Sequence, residues 1–76
     1  GSLVAVLANE PGSLADVTKI ISLNEGNISN IQVFSRDLDY YKFNIDLEVK
    51  NITHLNQIIA AMRLSQFVES IERGKD

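Results

Sequence analysis

The sequence predicts an α+β domain of ferredoxin-like arrangement. Two helices lie on one face of a four-stranded antiparallel sheet, in the order β-α-β-β-α-β. Three observations carry this. From Tyr40 to Val49 the residues alternate, with Tyr41, Phe43, Ile45, Leu47 and Val49 on one parity and Lys42, Asn44, Asp46 and Glu48 on the other. Such alternation marks a strand with one covered and one wet face. Two other stretches repeat their apolar residues at helical spacing, each behind a turn or a cap. The chain also opens on a short continuous apolar run that a proline-glycine turn closes.

In order, Leu3–Ala8 reads as a buried central strand ended by Asn9-Glu10-Pro11-Gly12, where proline presets φ and glycine accepts a positive φ. Ser13 is expected as N-cap, with Asp16 giving a weak capping box. Leu14, Val17, Ile20 and Ile21 form the helix stripe, and Gly26 is the expected left-handed residue at its end. Ile28–Arg36 is the second strand. Its parity breaks at Phe34, which a bulge would explain. Asp37-Leu38-Asp39 connects a hairpin to the third strand. Asn51 can cap a second helix whose stripe is Leu55, Ile58, Ile59 and Met62. Gln66–Glu72 closes the sheet with Phe67, Val68 and Ile71. Gly1-Ser2 looks like a cloning scar ahead of a single domain over residues 3–73, and residues 74–76 read as a frayed end.

Composition excludes several classes. At 76 residues the chain is one small domain that buries about 60% of its unfolded surface. No apolar run approaches the roughly 20 residues of a membrane helix. The absence of cysteine rules out disulfides and thiolate chemistry and fits a reducing compartment, so a cytoplasmic location is expected. Ten acidic against seven basic residues argue against nucleic acid. Tyr41 and Phe43, the aromatics an RNA-recognition sheet would use for stacking, fall on the helix-facing parity. Only Tyr40 points outward. Direct sequence-specific nucleic-acid binding is not expected.

Catalytic candidates are sparse. His54, the only histidine, has Asn51, Thr53 and Asn56 as polar neighbours in sequence and reads as a solvated imidazole on a helix surface. Asp46 and Glu48 stand about 7 Å apart on one strand face, but Lys42 and Lys50 share their parity, so a mixed solvated stripe is expected. Asp37 and Asp39 are too few ligands for a calcium site. No catalytic residue, metal site or cofactor is expected in this chain.

The turn Asn9-Glu10-Pro11-Gly12-Ser13-Leu14 is the remaining candidate. It opens a helix, whose free N–H groups can hold a carboxylate, and Asn9 adds an amide that both donates and accepts.

These residues resemble an ACT domain from Leu3 to Arg73. The resemblance rests on "PGSLADVTKII" (11–21), "GNISNIQV" (26–33) and "LEVKNITHLNQII" (47–59). It is most similar to the C-terminal ACT domain of RelA/SpoT-type GTP pyrophosphokinases, which synthesise and often hydrolyse (p)ppGpp in the bacterial stringent response. The resemblance implies a regulatory domain of such a parent enzyme, taking a small effector where two copies meet side by side. The ligand-binding positions it implies are Asn9, Gly12, Ser13, Leu14, Asn27 and Ile28. Serine-binding relatives carry a histidine two positions before the turn asparagine. Leu7 stands there, so with Ile28, Ile31 and Val33 nearby a branched-chain amino acid (valine, isoleucine or leucine) is the expected ligand. The second strand is an edge in this topology, and Ser29, Asn30, Ile31, Gln32 and Val33 are the expected homodimer interface. Two other readings stay open: a ligand-free module docking on the ribosome or the parent's catalytic domains, and an ACT domain of an amino-acid biosynthetic enzyme.

Overall fold

The computed structural model describes residues 1–74. Its elements are β1 (Ser2–Ala8), α1 (Ser13–Leu23), β2 (Asn27–Arg36), β3 (Tyr40–Glu48), α2 (Ile52–Arg63) and β4 (Val68–Arg73). The strands form one antiparallel sheet in the order β2-β3-β1-β4, so β2 and β4 are its edges. This is the predicted order and arrangement. Ser2 is a buried member of β1 paired with Asp46, and Gly1 exchanges backbone hydrogen bonds with Leu47 at 2.7 and 2.8 Å. At the other end the Gly74 amide donates to Ser2, while Lys75 and Asp76 of the expected frayed end lie outside the described residues.

The core forms between the helices and the face carrying Leu3, Ala5 and Leu7 of β1 and Phe43, Ile45 and Leu47 of β3. Val17 and Ile21 close it from α1; Leu55, Ile58 and Met62 close it from α2. Tyr41 and Phe43 meet edge to face at 5.8 Å on that covered side, as their parity predicts. The bulge expected near Phe34 is present, because pairing slips between Val33 and Ser35 and leaves Phe34 unpaired and 58% exposed. A second slip between Ile28 and Asn30 bends the start of the same strand. The last strand begins at Val68 rather than Gln66, because Ser65 accepts from the amides of Phe67 and Val68 and keeps these residues in a turn.

Both ends of α1 differ from expectation. Gly12, at φ +86°, occupies the cap position, and Ser13 is the first helical residue, turned inward and buried. A side-chain cap needs an extended backbone at the capping residue, and the Pro-Gly turn denies it. Asp16 does not complete a capping box either, since its carboxylate accepts from Ser65 Oγ at 2.6 Å. At the C-terminus the left-handed residue is Glu25, at φ 64°, and not Gly26. The amide of Glu25 donates to Ser22 O and that of Gly26 to Ile21 O, closing a Schellman motif one residue earlier than the glycine suggests.

His54 also differs from its expected solvated state. It is only 7% exposed. Its backbone N–H reaches the Asn51 side chain at 2.8 Å, the predicted cap of α2. The ring Nδ1 accepts from the Lys50 amide at 3.0 Å, which leaves the proton on Nε2 to be donated to Asn24 O at 2.7 Å. One imidazole therefore ties the end of α1 to the start of α2.

Candidate functional site

The turn after β1 has the geometry its residues dictate. Ser13 N donates to Glu10 O at 3.2 Å around Pro11 and a left-handed Gly12, a type II turn. The chain enters α1 with Asp16 N donating to Gly12 O, while the amides of Leu14 and Ala15 find no acceptor among the described residues. These two N–H groups point out of a helix N-terminus, where partial positive charge favours a carboxylate.

Asn9 is anchored. Its backbone N–H donates to Asp39 O at 2.8 Å and its side-chain amide to Asp37 O at 2.6 Å, so the turn is clamped to the β2–β3 hairpin. The hairpin is itself ordered by Asp37 Oδ1, which accepts from the amides of Asp39 and Tyr40. Asn9 keeps its Oδ1 as an acceptor. Leu14 is half-buried against the core, and Ile28 likewise, while Gly12 and Asn27 are exposed.

Asn27 lies at the other end of the sheet. It pairs with Glu48, whereas Ala8, beside Asn9, pairs with Tyr40. Eight residues of β3 separate these rungs, about 26 Å at 3.3 Å per residue. Within one copy, then, the structure does not bring Asn9 and Asn27 together. The Asn27 amide donates to Glu48 Oε1 at 2.5 Å and, like Asn9, retains a carbonyl acceptor.

The β2 edge is mostly exposed and mixes polar with apolar residues. Ser29 Oγ donates to Asp46 O and Asn30 Nδ2 to Asp46 Oδ2, so both side chains lean back onto β3. Between the two bulges only Asn30–Val33 runs in regular register. That four-residue segment, with Val33 57% exposed, is where another strand can pair without distortion. Among the described residues no group of three or more His, Cys, Asp or Glu side chains is placed to hold a metal ion. No helix among the described residues is long and apolar enough to cross a membrane.

Sequence reasoning missed two features. The role of His54 was signalled only by its place three residues after the Asn51 cap. A groove beside Asp16, between the helices, had no signal beyond Leu64 standing just past the end of the α2 stripe.

Comparison with known proteins supplies the family. The ACT domain family matches residues 2–73. A GTP pyrophosphokinase rsh of Brucella ovis is 38% identical over 65 residues, which is 86% of this chain and 9% of that protein, and its Brucella abortus counterpart matches to the same extent. The chain thus spans about a tenth of the length of the curated relatives it matches. The crystal structure of the ACT domain from GTP pyrophosphokinase of Chlorobium tepidum superposes with a TM-score of 0.80 at 26% identity, covering 96% of this chain and 94% of that one. A homoserine dehydrogenase from Thiobacillus denitrificans shares the fold at a TM-score of 0.73 and 22% identity, over 95% of this chain and 16% of that one. This chain belongs to the ACT domain family and is similar to the ACT domains of RelA/SpoT-type GTP pyrophosphokinases.

Proposed function

We propose that the chain is the regulatory domain of a cytoplasmic (p)ppGpp synthetase or hydrolase, and that it binds a branched-chain amino acid between two copies paired through β2. One geometric observation carries this reading. Asn9 and Asn27 stand at opposite ends of one sheet, and β2 is its edge. A twofold axis through Asn30–Val33 would run the two β2 strands antiparallel and carry the partner's Asn27 to the end where Asn9 stands. The amides of Leu14 and Ala15 then serve the effector carboxylate, and the asparagine carbonyls serve its ammonium. Leu7 is fully buried and offers no polar group to a serine side chain. A ligand spanning both copies binds the dimer better than the monomer, and that difference is what it can transmit to a parent enzyme.

Calorimetry with valine, isoleucine, leucine and serine tests the effector. Saturable heat is expected for the first three only. Asn9→Ala and Asn27→Ala should each weaken binding about fivefold, the loss of one hydrogen bond of about 1 kcal/mol. No heat with any amino acid at millimolar concentration removes the effector role. For the dimer, Val33→Asp should shift sedimentation toward the monomer while leaving the circular dichroism spectrum unchanged, because Val33 is more than half exposed. Unchanged sedimentation would exclude this edge.

One observation favours a second reading, a ligand-free docking module. The Asn9 amide is already consumed by the hairpin of its own chain. In that case amino acids would move no resonance between Asn9 and Leu14 or at Asn27 in a chemical-shift titration.

A further inference from the structure

A groove lies on the helix side, away from the β2 edge and from Asn27; it adjoins the end of β1, where Phe67 O accepts from Ala8 N. Its walls are Ile20 of α1, Ala61 of α2, and Leu64 and Phe67 of the connection to β4; its polar rim is Asp16, Ser65 and Gln66. The volume is about 470 Å³, within the range of small-molecule sites. The groove exists because α2 stops abruptly. Leu64 N donates to Ala61 O and Ser65 N to Met62 O, and the chain then swings to β4 with Leu64 left 88% exposed over the opening. Ala61 is too small to fill the space beneath.

Asp16 is the one formally charged residue of this lining. Ser65 Oγ donates to its Oδ2 at 2.6 Å and holds the half-buried carboxylate at the wall, leaving Oδ1 as an acceptor. No cationic side chain of the described residues pairs with it. Arg63, the nearest base along α2, turns away to donate to Ile71 O at 3.2 Å. A fixed carboxylate beside four apolar side chains is complementary to a primary ammonium carried on a short aliphatic body, and it repels the matching carboxylic acid.

We infer that this groove is a second binding site, for a small aliphatic amine, within a single copy and distinct from the free amides of Leu14 and Ala15, which do not line it. An amine without a carboxylate has nothing to offer the free amides of Leu14 and Ala15, so its binding does not depend on the effector reading. The carboxylate is partly solvated, so affinity is in the millimolar range and falls with salt.

The test is a chemical-shift titration of the whole chain with 3-methylbutylamine, and with isovalerate as the same body of opposite charge. Saturable shifts are expected at Ile20, Ala61 and Leu64–Phe67 with the amine and not with the acid. Asp16→Asn keeps an acceptor for Ser65 and so preserves the fold, but should weaken amine binding about threefold. Leu64→Ser, at a position that is almost fully exposed, should weaken it several-fold. Absence of saturable shifts at tens of millimolar amine, equal shifts with isovalerate, or an unchanged affinity in Asp16→Asn would each overturn the inference.

Discussion

Replacing His54 with alanine should destabilise the domain by about 2–4 kcal/mol, the largest effect expected of any polar substitution here. The substitution strips the Lys50 amide and the Asn24 carbonyl of their partners at once. Each orphaned backbone group costs about 1–3 kcal/mol when water cannot reach it well, and the imidazole also leaves a void in a site that is 93% covered. A domain of this size is stable by only about 4–11 kcal/mol, so the loss is a large share of the whole. In a thermal melt it should lower Tm by roughly 10–25 °C. His54→Gln, whose amide can still donate to Asn24 O, should fall between the two. A melting temperature within a few degrees of the parent for His54→Ala would show that the clasp contributes little. The consequence reaches the proposed effector site, because Asn24 leads directly through Glu25 and Gly26 into Asn27. Loosening that corner should weaken an effector held by Asn27, even though His54 touches no ligand.

What was legible in the sequence follows how local each determinant is. The alternation of β3 is written in consecutive residues and needs only one covered sheet face to be read, so Tyr41, Phe43, Ile45 and Leu47 were placed correctly. The Pro11-Gly12 turn and the Asn51 cap are likewise decided within four residues. The state of His54 was not legible, because its ring partners are backbone atoms, one of them thirty residues away, and composition carries no trace of such a pair. Asn9 was recognisable as a turn amide, but its capture by Asp37 depends on how the β2–β3 hairpin packs beside β1. The separation of Asn9 from Asn27 emerges only once strand register is known. The proposed site, which would close across two copies, cannot be read from one chain's neighbours along the sequence.

The glycine at the end of α1 makes the same point in a form that can be measured, through two substitutions of opposite sign. Composition assigns the left-handed position to Gly26, whereas the structure assigns it to Glu25 and gives Gly26 a different task. A Cβ on Gly26 would meet Ile21 Cγ2 at 2.8 Å and Ile58 Cδ1 at 2.9 Å, both on buried side chains, with Ile21 O at 3.3 Å. The residue is glycine so that the strand-bound chain can pass tightly over the seam between α1 and α2. Ile58 can withdraw its terminal methyl, but the β-branched Ile21 cannot turn Cγ2 away without leaving its preferred rotamer. Gly26→Ala should therefore cost about 1–3 kcal/mol as overpacking. Glu25→Gly acts in the other direction. It relieves a side chain from φ 64°, a conformation that costs an L residue about 1 kcal/mol, and it gives up only an exposed 3.5 Å pair with Lys50 that is worth little. The added freedom of glycine in the unfolded chain offsets part of that gain, leaving a net stabilisation of about 0–1 kcal/mol. Urea denaturation of the two variants separates the accounts. If Gly26 were the left-handed residue, Gly26→Ala would be costly through its backbone and Glu25→Gly would destabilise through lost helix propensity. The structure requires Glu25→Gly to be neutral or better, so a clear loss of stability in that variant would place the Schellman turn one residue later.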